Sequence, residues 1–91
     1  MPLFYPLSMD AAADGRMYVL DAGNSRIAAF DAEGNYITEW GRKGSGAGEF
    51  DFGEGFKLVR GRDFRGSIAV DSQGHIYVVD AFNKRIQKFA P

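Results

Sequence analysis

The sequence contains no cysteine, only one histidine and no long apolar run. The lack of cysteine excludes a disulfide framework and a thiol nucleophile. No apolar stretch approaches the roughly 20 residues that cross a bilayer, so no membrane span is predicted. The first six residues contain no basic side chain and include Pro2 and Pro6, so a signal peptide is not predicted. These absences leave the compartment open.

Net charge is also nearly absent. A value of −1 gives little general attraction to nucleic acid or to an anionic membrane, and neither is an expected partner. Glycine and aromatic residues are frequent by contrast, with 12 Gly, 8 Phe, 4 Tyr and 1 Trp. Glycines at regular turn-like places among large apolar residues are typical of a soluble, turn-rich β protein. A chain of 91 residues makes one small domain at most.

The strongest signal is an internal repeat. Residues 15–30 and 74–89 align without a gap at an offset of 59 and are identical at nine positions. A match of this length indicates two copies of one structural unit. The apolar runs 17–20 and 76–79 do not alternate, so we expect strands that are covered on both faces. Runs of four residues are too short for a buried helix.

Turn residues divide each copy into strands. Asp and Asn after each apolar run predict a hairpin loop, and Arg26–Phe30 and Arg85–Phe89 follow as return strands. Gly34 is expected at positive φ in a further hairpin, before a fourth strand at Tyr36–Trp40. The first strand of copy one, within residues 7–13, is predicted to be poor because it contains Asp10 and three alanines. Copy two stops after its third strand.

The expected organisation is therefore a single segment, 1–91, that is all-β. It divides into a four-stranded antiparallel repeat at 7–40, a glycine-rich linker and insertion at 41–66, and a second repeat at 67–91. Residues 3–5 are expected to form an entry segment or edge strand between two prolines. Residues 56–60 are a candidate for an additional strand.

Residues 18–27, Tyr-Val-Leu-Asp-Ala-Gly-Asn-Ser-Arg-Ile, resemble the core of the NHL repeat. Residues 67–74 resemble the strand that precedes that core, and residues 41–50 resemble the glycine-rich link between blades. The resemblance implies a β-propeller, most often of six blades that are each a four-stranded sheet. It also implies binding of proteins, RNA or glycans, although some related propellers are zinc-dependent lyases. The offset of 59 exceeds the usual repeat, with the excess near residues 53–65.

Two blades cannot bury all of their apolar faces. A blade is sandwiched between neighbours, so two blades bury one interface and leave two faces bare. Bare patches of this kind are unusual in a soluble monomer. We therefore expect a ring in which three copies give six blades, with a strand from residues 3–5 or 56–60 completing the second blade. The alternatives are a fragment of a longer propeller, or an engineered or intermediate chain with no ligand of its own.

Most polar residues have a structural interpretation. The six loop residues of the repeat are predicted to form a structural hairpin network, although their oxygens could also hold calcium. They are Asp21, Asn24, Arg26, Asp80, Asn83 and Arg85. His75 is the only histidine, so a zinc site would need one His from each chain of a trimer, and a surface imidazole is the expected role. Residues 44–48 lack the Gly-Lys-Ser/Thr ending of a phosphate loop. No metal and no cofactor is therefore predicted.

The insertion is the candidate binding loop. It interleaves basic and aromatic residues, a pattern that can hold an acidic partner or single-stranded nucleic acid. The candidates are Phe56, Lys57, Arg60, Arg62, Phe64 and Arg65. A strand that completes a neighbouring blade, or an inert loop, are the other interpretations.

The function predicted from the sequence is a non-catalytic module that binds copies of itself and offers a loop face for a protein or another ligand. A metal-dependent propeller hydrolase or lyase is the alternative. Catalytic carboxylates near a channel (Asp10, Asp14, Asp71) have no specific support, and no Ser-His-Asp arrangement can be built.

Overall fold

The computed structural model describes residues 3–57 and 61–91, with backbone alone for residues 54–57 and 61–63. Strands and turns account for nearly all of the regular structure in these ranges. The strands are β1 (Pro6–Ala11), β2 (Met17–Asp21), β3 (Arg26–Phe30), β4 (Tyr36–Trp40), β5 (Gly53–Lys57), β6 (Gly61–Phe64), β7 (Ser67–Val70), β8 (Ile76–Asp80) and β9 (Arg85–Phe89). Two short 3-10 turns, Ala22–Asn24 and Ala81–Asn83, join β2 to β3 and β8 to β9.

The first repeat forms a four-stranded antiparallel sheet in the order β1-β2-β3-β4. Leu20 lies opposite Ile27, and Tyr18 lies opposite Ala29. Gly34 has a φ of 88°, as the hairpin before β4 requires. The prediction that the first strand is poor was wrong, because β1 pairs with β2 from Pro6 to Ala11 with one irregularity. Pairing to a well-formed neighbour outweighs the weak strand preference of alanine and aspartate.

The second repeat forms a three-stranded antiparallel sheet in the order β7-β8-β9. Its register repeats that of the first sheet, with Val79 opposite Ile86 and Tyr77 opposite Lys88. Among the described residues no strand pairs with the outer edge of β9, the position that β4 occupies beside β3. The sheet therefore ends one strand earlier than the first.

The insertion forms a separate hairpin in which β5 pairs with β6. The additional strand expected at residues 56–60 is thus confirmed in part: β5 covers residues 53–57, whereas residues 58–60 lie outside the described residues. Because β5 and β6 pair with each other, this hairpin does not complete the second sheet.

Of the two structures expected for residues 3–5, they form the entry segment to β1 and not an edge strand. They cross the first 3-10 turn, where Phe4 O accepts a hydrogen bond from Gly23 N at 2.8 Å and Tyr5 O accepts one from Ala22 N at 3.1 Å. The approach is so close that a Cβ on Gly23 would lie 2.1 Å from Phe4 O. Backbone groups that a ladder would have used are therefore engaged with the turn, and this segment does not complete the second sheet within the chain.

The apolar core lies between the two sheets, where β1 runs beside β7. The residues that form it come from both repeats and from the connector between them. They are Tyr18, Leu20, Ala22, Ile27, Ala29, Phe50, Phe52, Ile68, Ile76 and Val78. Phe50 and Phe52 stack with ring centroids 5.2 Å apart, so the connector fills the space between the sheets.

Candidate functional site

Asp21 is the centre of a polar cluster at the end of β2. Its side chain is fully buried, and its Oδ2 atom accepts hydrogen bonds from Asn24 Nδ2 and Arg26 Nε, both at 2.9 Å. Its Oδ1 atom accepts one from Phe4 N at 2.8 Å. The pKa of Arg26 is raised, because hydrogen bonds to Glu39 and Asp21 outweigh the opposing effect of desolvation. A buried carboxylate is acceptable here because its oxygens are hydrogen-bonded and it faces a guanidinium.

Asp80 repeats this arrangement in the second sheet. It is also fully buried, and its Oδ2 atom accepts hydrogen bonds from Asn83 Nδ2 at 3.0 Å and Arg85 Nε at 2.8 Å. Gln87 Nε2 adds a third at 3.2 Å, and Asp51 N donates to Oδ1 at 2.8 Å. The structure therefore brings the six network residues together as two separate clusters of three, one in each sheet.

Each cluster holds the chain segment that leads into its sheet. Asp51 N contacts Asp80 as Phe4 N contacts Asp21, and Asp51 O accepts from Phe82 N as Phe4 O accepts from Gly23 N. The two segments align at an offset of 47, whereas the sheets align at 59. The difference of 12 residues is the β5–β6 hairpin, inserted where the sequence placed the excess. The network is thus built to anchor backbone.

Arg85 extends the second cluster to the glycine-rich connector. Its guanidinium donates to three connector carbonyls, Ser45 O at 3.0 Å, Gly46 O at 2.7 Å and Glu49 O at 2.8 Å. Gln87 adds two bonds to the same loop, from its Nε2 to Glu49 O at 2.8 Å and from Gly48 N to its Oε1 at 3.0 Å. The backbone hydrogen bond from Gly46, followed by the ion pair with an arginine of the connector, lowers the pKa of Glu49. The sequence did not reveal Gln87, since alanine stands at the equivalent position of the first repeat.

These features, two repeated sheets packed face to face with their first strands adjacent, are those of neighbouring propeller blades. The model of the family DUF5128, described as a 6-bladed β-propeller, matches the chain over residues 8–90. The chain belongs to this propeller family. A search of curated proteins found no match. The sheet of β1–β4 is hereafter the first blade, and the sheet of β7–β9 is the second blade.

The two blades pack front to back. The front face of a blade carries Tyr18, Leu20 and Ile27 in the first blade and the equivalents Tyr77, Val79 and Ile86 in the second. The back face carries Met9, Met17 and Val19 in the first blade and Ile68, Ile76 and Val78 in the second. Within the chain, the front of the first blade meets the back of the second. The back of the first blade and the front of the second blade do not pack against another sheet of the described chain.

Exposure differs accordingly between equivalent residues. Ile27 is fully buried, whereas Ile86 is 67% exposed. Met9 on the unused back face is 54% exposed, whereas its equivalent Ile68 is 6% exposed. A groove of about 500 Å³ also runs along the unused back face beside Val19. At these positions the same pattern is therefore buried in one blade and exposed in the other, whereas Val19 and its equivalent Val78 are both buried.

The described residues of the insertion lie on the side of the blades that carries the 3-10 turns. Phe64 packs against Tyr5 with ring centroids 4.9 Å apart, and Arg65 N donates to Phe52 O at 2.8 Å. A polar cavity of about 400 Å³ between the first turn and the hairpin is lined in part by Lys43 and Phe64. The other residues of the candidate binding loop are not placed by side chain. Arg60 lies outside the described residues, and only the backbone is described for Phe56, Lys57 and Arg62.

His75 lies at the other end of the blades, beside Asp71. Its Nδ1 atom is 3.4 Å from Asp71 Oδ2 and makes no hydrogen bond to any described residue. Desolvation opposes ionisation of Asp71, but the hydrogen bonds that its carboxylate accepts from His75 N, Tyr77 OH and Gln73 N have a larger combined effect. The pKa of Asp71 is therefore lowered. Within residues 3–57 and 61–91 no three His, Cys, Asp or Glu side chains form a group able to hold a metal. The same residues contain no helix long and apolar enough to cross a membrane.

Proposed function

We propose that the chain is a two-blade building block of the NHL-like type that binds copies of itself head to tail. Three copies supply the six blades that the family description names. The closed ring serves as a non-catalytic scaffold whose loops bind a protein or another ligand. The repeated Tyr-Val-x-Asp-x-x-Asn-x-Arg-Ile pattern supports the NHL-like assignment, and the lack of cysteine together with a single histidine supports a binding role over hydrolysis.

One observation carries the proposal: the two bare faces are the two halves of an interface that the chain already makes. The front of the second blade has the residue pattern of the front of the first, and the back of the first has that of the back of the second. A head-to-tail interface of this kind repeats by rotation and closes when the rotation completes a circle. Six blades complete the circle, so three chains of two blades suffice.

The energy available at each new junction is substantial. Complete burial of a fully exposed isoleucine or valine side chain contributes about 1.5–3 kcal/mol, and a partly exposed side chain gains the corresponding fraction. Ile86 and Val79, which are 67% and 40% exposed, would become covered on one side of the junction, and Met9, which is 54% exposed, on the other. These gains act against the cost of association, which includes about 4–15 kcal/mol of lost translational and rotational freedom as well as the ordering of side chains.

The binding surface that we propose is the side of the ring that carries the insertions. Insertions in repeat proteins fall on one face, which is often the binding face. The β5–β6 hairpin contacts the first 3-10 turn, so a three-chain ring would present three hairpins on one side. An acidic protein surface fits the basic and aromatic composition of residues 56–65.

Sedimentation equilibrium at micromolar concentration tests the assembly. The expected mass is about three times the 10.0 kDa of one chain. Ile86→Asp places a charge on the bare front face and should give a folded monomer. Phe82→Ser is the control, since Phe82 is a 43% exposed aromatic on the second 3-10 turn and not on a strand of either blade. A wild-type chain that stays folded and monomeric would contradict the proposal and leave the missing blades to another polypeptide.

A further inference from the structure

Asp10 on β1 uses both carboxylate oxygens at the edge of the blade. Its Oδ2 atom accepts a hydrogen bond from Val70 N of the second blade at 2.7 Å. Its Oδ1 atom accepts one from Ala11 N of its own strand at 2.8 Å. One side chain therefore satisfies an edge N–H group on each of two neighbouring first strands, groups that are costly to leave unpaired inside an interface.

The repeat shows how the proposed interface between two copies must differ from the interface between the two blades of one chain. At the offset of 59, Asp10 corresponds to Ala69, and Val70 corresponds to Ala11. In a head-to-tail ring, Ala69 of one copy would face Ala11 N of the next copy, as Asp10 faces Val70 N within the chain. That N–H group already has its acceptor in Asp10 of its own strand, so a carboxylate at position 69 would have no donor to bind.

We propose that Ala69 is a specificity-determining residue of the interface between copies, where a small, uncharged side chain accommodates Asp10 of the neighbouring copy. Ser67 fills the remaining contact by accepting from Met9 N of that copy, as Ser8 Oγ accepts from Ile68 N at 3.4 Å within the chain. The partner for this surface is a second copy of the same chain. This inference rests on the proposed head-to-tail assembly and identifies the residues that meet at the seam, where β7 of one copy lies beside β1 of the next.

Ala69→Asp should weaken assembly strongly. The new carboxylate would approach the same N–H group as Asp10 of the next copy, which brings two like charges together in a desolvated seam. Such a juxtaposition typically weakens association on the order of 100-fold. Ala69 is exposed in the single chain, so the folded protomer should be unaffected, and circular dichroism checks this.

Three further variants separate charge from size. Ala69→Asn has the shape of aspartate, but its amide can donate to Asp10, so it should assemble nearly as wild type does. Asp10→Asn removes the facing charge, and the double variant Asp10→Asn with Ala69→Asp should recover the assembly lost by Ala69→Asp. Asp10→Asn alone is the reference for the double variant. Association is measured by sedimentation equilibrium at one ionic strength.

The outcomes are distinguishable. A monomeric wild-type chain would overturn the proposed assembly itself. A wild-type oligomer with an unchanged Ala69→Asp variant would overturn the seam contact while leaving the assembly intact. Loss of assembly in both Ala69→Asp and Ala69→Asn, without recovery in the double variant, would overturn the role assigned to Asp10.

Discussion

Replacing Asp80 with alanine should destabilise the chain more than any surface change. The Asp80 carboxylate is fully buried and accepts hydrogen bonds from Asp51 N, Asn83, Arg85 and Gln87 at 2.8–3.2 Å. Removing one partner of a buried ion pair typically costs about 3–5 kcal/mol. Because the Arg85 side chain is 30% exposed and keeps its three connector carbonyls, we expect the lower end, about 3 kcal/mol.

That loss is a large share of the stability of a domain of this size, which is typically about 5–15 kcal/mol. With a urea dependence of about 1–3 kcal/mol per molar, the unfolding midpoint should fall by roughly 1–3 M. Urea titrations in the Ile86→Asp background remove the contribution of assembly, so that the free energy refers to one chain. The second blade and its connector should lose order first, because Asp80 joins them.

Two variants control for this prediction. Asp14→Ala removes an exposed carboxylate that accepts one hydrogen bond from Arg16 N at 2.9 Å, and it should cost at most about 1 kcal/mol. Asp80→Asn keeps one acceptor oxygen and should fall between Asp80→Ala and wild type. Equal midpoints for Asp80→Ala and Asp14→Ala would refute the argument that the buried carboxylate organises the connector.

Three other predictions follow from single contacts. Trp40 packs against an aromatic ring of each blade, and its Nε1 atom is buried without a partner among the described residues. Urea titration should show a loss within about 1 kcal/mol for Trp40→Phe and a larger loss, up to about 3 kcal/mol, for Trp40→Ala, because the side chain is half-buried. The hydrogen bond from Asn35 N is the main cause of the lowered pKa of Asp31, so the ionised Asp31 carboxylate stabilises the fold above about pH 4. The difference in urea unfolding midpoint between wild type and Asp31→Ala should therefore shrink as the pH falls through the folded pKa. Gly41 and Gly34 both have positive φ, but of the two only Gly41 would place a Cβ against an aromatic ring, 2.5 Å from Phe50. Thermal unfolding should therefore show a larger loss of stability for Gly41→Ala than the roughly 1–2 kcal/mol expected for Gly34→Ala.

The repeat allowed much of the fold to be predicted. Identical spacing in the two copies placed β2, β3, β8 and β9 and indicated that copy two ends after its third strand. Local patterns failed where partners decide the structure. Asp10 and its neighbouring alanines look unlike a strand, yet β1 forms because β2 pairs with it. The sequence left residues 3–5 as an entry segment or an edge strand, and the hydrogen bond from Phe4 N to the buried Asp21 decides for the entry segment.

The contacts of the site could be predicted only in part. Asp, Asn and Arg recur at fixed positions in both repeats, so the sequence identifies them as a set. What Arg85 binds was not visible, because its partners are main-chain carbonyls of a connector that lies 36–40 residues away in the chain. Side-chain spacing carries no information about backbone acceptors that are distant in sequence.

By itself, the sequence determined that the chain contains two copies of one β unit, because a gapless repeat of apolar and turn positions leaves few other folds. It also determined that an insertion separates the two copies. Only the tertiary structure decided which face of each blade meets a neighbour, since equivalent residues such as Ile27 and Ile86 are buried in one blade and exposed in the other. The physical reason is that strand preference acts within a few residues, whereas burial depends on which neighbour the whole sheet meets.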